Sequence, residues 1–424
     1  MEAKSNGLAR RLAALLTRRH VAGPAWWSVV SRLPVYLMSL AMVLVVREQG
    51  GSYAQAGLVS GLYTVGMALG SPLIARWADR RGQRTVLLAT GVLYPTALAA
   101  LVWTTGPGDW AQPLLAVLAG VVLPPANACM RSLWARLRLR DDERDTAYLW
   151  EALLTEVLVI GAPLMLAALM LTGSAGRALT MVAAIGGVGA IGLAFVRVPE
   201  DEDTDGAAGA EAAGDADDET SRGSLLGPLR SQPMLALAGV MVLGAVPIGL
   251  MTLAIPAFVD AHGSRGSTGL VYACWGVGSA VGALWLGHSQ SQVAVHLRFP
   301  RLVLAFALGT ALPLLATTPL ALGLALAVGS VPIALMAASE MTLVSTVADG
   351  RSLTEAFTWA SVATVVGDAL GQQAGGLLME PAGPRGVFAA AFGMALVAAL
   401  VAFACRGLLG RKAAVPAPAE AGGR

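Results

Sequence analysis

Four charged residues stand inside long apolar stretches of this sequence: Glu156, Asp368, Arg32 and Glu340. An ionisable side chain in the hydrocarbon region of a bilayer is costly unless it faces a cavity or a partner, and such residues often serve as proton relays. We therefore predict that Glu156 and Asp368 carry protons or contact a substrate. Each could instead be a static, hydrogen-bonded carboxyl group that orders helix packing.

Arg32 and Glu340 leave more than one interpretation open. Arg32 could pair with an acid in a central cavity, or its long side chain could extend to the inner headgroups. Glu340 aligns with Arg131 in the internal repeat described below, so an ion pair between the two halves of the chain is possible. Glu151 precedes Glu156 in the same stretch and is expected nearer the membrane surface.

The composition explains why these charges are unusual. The chain is 56% hydrophobic and only 13% charged, with a mean hydropathy of +0.66. A soluble domain carries about 25% charged residues, so this chain is expected to lie in a bilayer. Its net charge of +2 gives no indication of a nucleic-acid partner.

No catalytic or cofactor pattern is found in the sequence. There is no G-x-x-x-x-G-K-[ST] nucleotide-binding loop and no nucleophile with a base at a recognisable spacing. Cys129, Cys274 and Cys405 are too far apart to indicate a metal site or a disulfide framework. We expect neither enzyme activity, nor a cofactor, nor a bound metal.

Twelve apolar segments are long enough to cross a bilayer, which takes about 20 residues in a helix. Irregular backbone cannot face lipid, so each segment is expected to be helical. Spans 1 to 6 are predicted at 25–46, 53–75, 85–105, 111–133, 146–171 and 177–196. Spans 7 to 12 are predicted at 233–259, 267–287, 300–317, 320–345, 355–379 and 386–406.

The basic residues predict the orientation. If the amino terminus is cytoplasmic, 24 of the 29 Lys and Arg residues lie on the cytoplasmic side and only four lie outside. Cytoplasmic loops carry an excess of Lys and Arg, so both termini are expected in the cytoplasm and the protein in the inner (plasma) membrane.

The two halves of the chain repeat one another. GLVSGLYTVGMALG at 57–70 and GLVYACWGVGSAVG at 269–282 share seven of fourteen residues. Two parallel six-helix repeats are typical of one group of transporter folds, in which substrate binds between the halves. We predict an all-α membrane protein with a tail at 1–24, six-helix bundles at 25–198 and 231–408, an acidic linker at 199–230 and a tail at 409–424.

Between spans 2 and 3 the sequence reads ARWADRRGQR, which resembles the signature G-x-L-A-D-R-x-G-R-R of the major facilitator superfamily. The matching residues are Asp79, Arg80, Gly82 and Arg84. The resemblance implies the major facilitator fold, and a cytoplasmic latch at these residues that holds one arrangement of the halves closed. The counterpart GHSQSQVAVH in the second half lacks the acid and the arginines.

A second pattern resembles a span 5 motif, G-x-x-x-G-P-x-x-G-G, of bacterial proton-coupled drug antiporters. Span 5 keeps only the proline, Pro163, whereas span 11 keeps the glycines Gly367, Gly371, Gly375 and Gly376. Small residues at these positions let spans 5 and 11 pack closely.

Aromatic, Met and hydroxyl side chains near the middle of spans 1, 2, 7 and 8 are candidates for a substrate cavity, since such side chains suit apolar or amphipathic ligands. Each could instead pack in a core or contact lipid. The candidates are Tyr36, Met38, Tyr63, Met251, Thr252 and Trp275.

These features predict a monomeric secondary active transporter that works by alternating access and exports a small amphipathic organic compound against proton influx. Two alternatives remain. The same fold could take up a polar metabolite with protons, or the protein could be a membrane sensor or scaffold that signals through its acidic linker. Few polar residues in the expected cavity favour export.

Overall fold

The structure is a computed structural model that describes residues 17, 19–130, 141–196, 231–263, 267–288, 293–348 and 353–410. Within these ranges the chain is almost wholly helical and contains no strand. All twelve predicted spans coincide with helices. The acidic linker and most of both predicted tails lie outside the described residues.

The first half contains spans 1 to 6. Span 1 is broken into two helices that are bent by 49° at the short 3-10 turn Leu33–Tyr36. Pro34 lies in this turn, and proline lacks the N–H group that a continuous helix requires. The helices are Arg19–Arg32 and Met38–Glu48 (span 1), Tyr53–Arg81 (span 2), Gln83–Thr104 (span 3), Ala111–Val121 with a continuation to Met130 (span 4), Asp141–Thr172 (span 5) and Ala175–Ala194 (span 6).

The second half contains spans 7 to 12. Spans 11 and 12 share the helical segment Leu353–Leu409, which is divided at Gly383, where φ is 64°. Glycine adopts this positive φ without steric cost, so the chain can turn there between two helices. The other helices are Gln232–Ala261 (span 7), Thr268–His288 (span 8), Val295–Ala311 (span 9), and Pro319–Gly329 with Val331–Val347 (span 10).

By length and hydropathy, eight helices among the described residues can cross a membrane, or nine if the bent pair in span 1 counts as one. Ala356–Leu409 counts once there, although its 54 residues exceed the length of two crossings of about 20 residues each. Spans 5 and 8 contribute shorter apolar helices, Val157–Met170 and Thr268–Leu284. The predicted all-helical membrane fold is confirmed.

The repeated glycines pack the second span of each half in the same way. A side chain at Gly66 or Gly70 would collide with the backbone of span 4. A side chain at Gly278 or Gly282 would collide with the backbone of span 10. Small residues let neighbouring helices approach closely in a membrane, so the repeated phrase fixes one helix pair in each half.

Glycines also mark the two contacts between the halves. In span 2, Gly57 and Gly61 lie against the backbone of span 11. In span 8, Gly269 and Gly276 lie against span 5, and the carbonyl of Pro163 faces Gly269. Gly57 and Gly269 lie near the beginning of spans 2 and 8, and their contacts lie in the second half of spans 11 and 5. Because the spans alternate in direction, both contacts are at the same end of the molecule.

The glycines predicted for helix packing in span 11 contact two different neighbours. Gly367, Gly371 and Gly375 lie against span 7, within the second half. Gly376 lies against the backbone of Tyr53 in span 2, across the halves. The close packing predicted for spans 5 and 11 is therefore made with spans 8, 7 and 2.

The opposite end of the interface between the halves is open. Ser71, Pro72 and Leu73 in span 2 are all exposed, and successive residues of a helix point about 100° apart. Among the described residues, span 2 is therefore exposed over a wide arc here, although Gly70 and Ile74 next to these positions are buried. In span 11, Ser361 and Thr364 are exposed at the matching end.

Candidate functional site

A cavity of about 290 Å³ lies between the two halves. Spans 1 and 5 line it from the first half, and spans 7, 8 and 10 from the second. Its lining residues are Val35, Tyr36, Ser39, Leu40, Val159, Pro163, Ile248, Thr252, Tyr272, Trp275, Gly276, Ser279 and Ile333.

Three aromatic side chains, three Ser or Thr side chains, six aliphatic side chains and a glycine form the described lining, and none of these residues carries a charge. The rings of Tyr272 and Trp275 are tilted, with centroids 5.8 Å apart. The Tyr272 hydroxyl donates a hydrogen bond of 2.8 Å to the carbonyl oxygen of Thr252, which fixes the ring. Aromatic walls with a few placed polar groups suit a small amphipathic molecule.

Three of the six predicted cavity residues line this space: Tyr36, Thr252 and Trp275. Sequence reasoning missed Tyr272 and Ser279. They are separated from Trp275 by three and four residues and therefore share its face of span 8. This helical spacing from Trp275 could have identified both residues from the sequence.

The prediction was wrong for Met38, Met251 and Tyr63. Met38 begins the second helix of span 1, after the bend, and is fully buried in the core. Met251 is 2% exposed and borders a separate cavity of only about 10 Å³. Tyr63 is buried within the first half, where its hydroxyl lies 3.2 Å from that of Tyr94.

Asp368 takes part in a hydrogen-bond network that joins the halves. Its Oδ2 accepts a 2.8 Å hydrogen bond from Nε2 of Gln372, one turn further along span 11. The same nitrogen lies 3.4 Å from Oγ1 of Thr64 in span 2. Asp368 also lies within electrostatic range of the cavity residue Tyr272. The carboxylate is therefore linked through Gln372 to the contact between the halves.

Arg32 forms an ion pair with Glu151 of span 5. Its side chain is 2% exposed, whereas that of Glu151 is 17% exposed. The two residues are 119 positions apart in sequence, so spacing alone could not show the contact. Of the two interpretations of Arg32, the structure favours pairing with an acid.

The other predicted charges are less informative. Glu340 is buried in span 10 with 8% exposure and makes no ion pair with a described residue. Its aligned residue Arg131 and the side chain of Glu156 lie outside the described part of the structure.

The loop predicted to act as a latch connects spans 2 and 3 at Gly82, whose φ is 83°. Arg80 and Arg84 are exposed, and Arg84 lies over the ring of Phe195 at 5.1 Å. Among the described residues neither arginine makes an ion pair, and the side chain of Asp79 is not described. The latch remains a prediction.

A family model described as Major Facilitator Superfamily matches residues 27–304 of the chain. No curated protein sequence matches this chain.

Several solved transporter structures are similar to the whole chain. The nucleoside transporter NupG has a TM-score of 0.69 at 13% identity, covering 92% of this chain and 99% of that chain. A peptide transporter POT in complex with sulfate has a TM-score of 0.67 at 14% identity, with coverage of 92% and 95%. A bacterial homologue of the human lysosomal transporter Spinster, inward-facing and occupied, has a TM-score of 0.63 at 16% identity, with coverage of 91% and 96%. At these identities the similarity shows the fold.

Proposed function

Since the chain belongs to the major facilitator superfamily of membrane transporters, we propose that it exports a small amphipathic organic compound in exchange for protons, by alternating access. The family and its structural neighbours identify a multi-pass membrane transporter rather than an enzyme. The observation that carries the proposal is the cavity between the halves, whose described lining residues carry no charge, together with the glycine contacts that pack the halves against each other at one end.

The orientation is part of the proposal. The excess of basic residues supports an orientation with both termini in the cytoplasm. The proposed protein is a monomer in the plasma membrane, with six-helix units at 25–198 and 231–408 joined by 199–230. In that orientation the contacts at Gly57 and Gly269 close the outer end. The open end then faces the cytoplasm, from which an exporter loads its substrate.

Asp368 is the proposed proton carrier, with Glu156 as a second candidate. An ionised carboxylate strengthens the hydrogen bond that it accepts from Gln372. A proton on Asp368 would remove that charge and loosen the link to Thr64 in the other half. The charge on Asp368 would thus be coupled to the contact that must break when the outer end opens.

The cytoplasmic latch belongs to the other state of the cycle. Arg80 and Arg84 are exposed here, at the open end of the molecule. When the halves close on this side, we propose that Asp79 and these arginines form contacts across the loop. Gly82 provides the tight turn that brings them together.

The test is transport by protein reconstituted into vesicles with an internal pH dye. We expect some members of a panel of amphipathic compounds to leave the vesicles as protons enter. Asp368→Asn should abolish the proton movement, whereas Glu380→Gln, an exposed acid in the same span, should not change it. Glu156→Gln tests the second candidate.

Proton flux unchanged in both Asp368→Asn and Glu156→Gln would contradict the proposed coupling. Entry of a compound together with protons would indicate uptake instead of export. A tag at residue 210 that is inaccessible from the cytoplasm would contradict the orientation.

A further inference from the structure

Buried hydrogen-bond donors without partners gather on spans 1 and 5. In the described part of the chain, nine buried side-chain nitrogen or oxygen atoms have no hydrogen-bond partner. Five of these nine belong to four residues: Ser28, Ser31, Arg32 and Trp150. They are two hydroxyl groups, Nε and Nη2 of Arg32, and the indole Nε1, all of which can donate a hydrogen bond. Leaving such groups buried and unpaired is costly, so the cluster fits a ligand that accepts hydrogen bonds.

The donors are brought together by helix geometry and by the ion pair. Ser28 and Ser31 are each 1% exposed, and Arg32 is 2% exposed. Residues three and four positions apart are neighbours on a helix surface, so Ser28 lies beside both Ser31 and Arg32. The contact between Arg32 and Glu151 holds this face against span 5, where Trp150 is the preceding residue.

This donor cluster, defined by Ser28, Ser31, Arg32 and Trp150, lies next to the cavity. Tyr36, which lines the cavity, follows Arg32 by one turn of span 1. On span 5, Val159 follows Glu151 by eight residues and also lines the cavity. The four residues of the 3-10 turn from Arg32 to Tyr36 rise about 8 Å, so the cluster is within reach of a small aromatic anion in the cavity.

The chemistry of the cluster selects an anionic group. The cavity itself offers aromatic rings and hydroxyls without charge, whereas the cluster offers a guanidinium with Nε and Nη2 unused. Adjacent guanidinium donors bind a carboxylate or a phosphate through paired hydrogen bonds. Because Glu151 is 17% exposed, an incoming anion can displace it from Arg32 without trapping a second charge in the interior.

We propose that the donor cluster binds the carboxylate or phosphate group of an organic anion whose apolar body occupies the cavity. The inference rests on the proposed transport function and names its substrate class as amphipathic organic anions. Glu151 holds Arg32 in place until the anion arrives.

The test is calorimetric binding of matched probes to the full-length protein in lipid nanodiscs. Benzoate and phenyl phosphate are the anionic probes, and benzamide is the neutral one. We expect at least one anionic probe to bind about tenfold more tightly than benzamide, since a site built to pair a polar group discriminates against a ligand that lacks it. Arg32→Gln should remove this preference, and Arg32→Lys should keep part of it, because lysine offers a point charge instead of a planar fork.

Two further variants separate binding from folding. Glu151→Gln removes the competing carboxylate and should strengthen binding of the anionic probe. The double variant Arg32→Gln/Glu151→Gln removes both members of this ion pair together, so it should fold and still lack the preference. Arg47→Gln is the matched control, since Arg47 is on the same span with a buried Nε without a partner. It should bind as the unmodified protein does.

Equal affinity for benzoate, phenyl phosphate and benzamide would overturn the proposal, as would an unchanged preference in the double variant. If inorganic phosphate or chloride binds as tightly as the organic anions, the cluster is an inorganic-ion site and the proposal is also overturned. Failure of the transport proposal is distinguishable. In that case the anionic probes bind in an Arg32-dependent manner, but no compound crosses the membrane.

Discussion

At the scale of single residues, buried tyrosines of the first half are expected to stabilise that half, whereas the cavity aromatics line the space between the halves. The hydroxyls of Tyr63 and Tyr94 are 3.2 Å apart and fully buried. Replacing either tyrosine by Phe leaves the other hydroxyl without its partner. We expect each single variant to lose about 1 kcal/mol of stability, and the double variant Tyr63→Phe/Tyr94→Phe to lose less than the sum of both.

This prediction is checked by thermal unfolding of the three variants in detergent. Binding of aromatic probes should be unchanged in all three, because neither tyrosine lines the cavity. If the double variant loses as much as the two singles together, the hydroxyls do not interact and the assignment is wrong.

Trp275 is expected to behave in the opposite way. It lines the cavity between the two halves and is held in place by a 2.7 Å hydrogen bond from Ser330 to its backbone carbonyl. Trp275→Ala should weaken binding of an aromatic probe about tenfold, because a large buried aromatic surface dominates such contacts. Trp103→Ala is the control, since Trp103 is 62% exposed at the end of span 3. Equal effects of the two variants would show that the ligand does not bind in this cavity.

These two aromatic positions also show how far residue roles could be predicted from sequence. Tyr63 and Trp275 occupy equivalent places in the repeat, and the sequence predicted both for the cavity. The repeat gives both residues the same depth in the membrane and the same face of their helix, but their neighbours differ. Tyr63 contacts Tyr94, whereas Trp275 contacts Tyr272. The pair of Arg32 and Glu151 could not be predicted either, because it depends on how spans 1 and 5 meet in space.

At the scale of helices, the sequence predicts the position of every span, which it could not do for the side-chain contacts. Each span follows from the length of its apolar run, which the thickness of a bilayer imposes. The bend at Leu33–Tyr36 was not predicted, although Pro34 was the signal for it. Beyond that bend Ser39 and Leu40 line the cavity, whereas Met38 lies on a different face of the helix and is buried in the core.

Glycines in the same span have different roles, and substitutions should separate them. A Cβ on Gly57 would collide with the backbone of Gln372 in the other half, whereas a Cβ on Gly66 would collide with span 4 in the same half. Gly57→Ala should therefore favour separation of the halves at this end and lower transport, with little change in unfolding temperature. Gly66→Ala should lower the unfolding temperature itself.

Gly239→Ala is the control for both variants, because a Cβ there has open space and alanine is the better helix former by about 1 kcal/mol. Spin labels at the beginning of span 2 and the end of span 11 should report a longer distance in Gly57→Ala only. If that distance stays unchanged while Gly57→Ala unfolds as readily as Gly66→Ala, the contact between spans 2 and 11 is structural and does not open.

At the scale of the whole molecule, alternating access requires the contact between the halves to break in every cycle. A Cβ on Gly61 would lie 3.7 Å from the Cα of Ala369 across this contact. The two Cα atoms are therefore at most about 5.2 Å apart, within reach of a disulfide. In a background without the native cysteines, Gly61→Cys/Ala369→Cys should cross-link on oxidation and stop transport, and reduction should restore it.

The chain supplies a matched cross-link within one half. A Cβ on Gly323 would lie 3.7 Å from the Cβ of the native Cys274, close to the separation found in disulfides. Gly323→Cys, in a background that keeps only Cys274, should cross-link equally well and leave transport unchanged, since this half moves as a unit. Transport that persists in the fully cross-linked Gly61→Cys/Ala369→Cys protein would show that the halves do not part at this end, and the alternating-access mechanism would then be wrong for this protein.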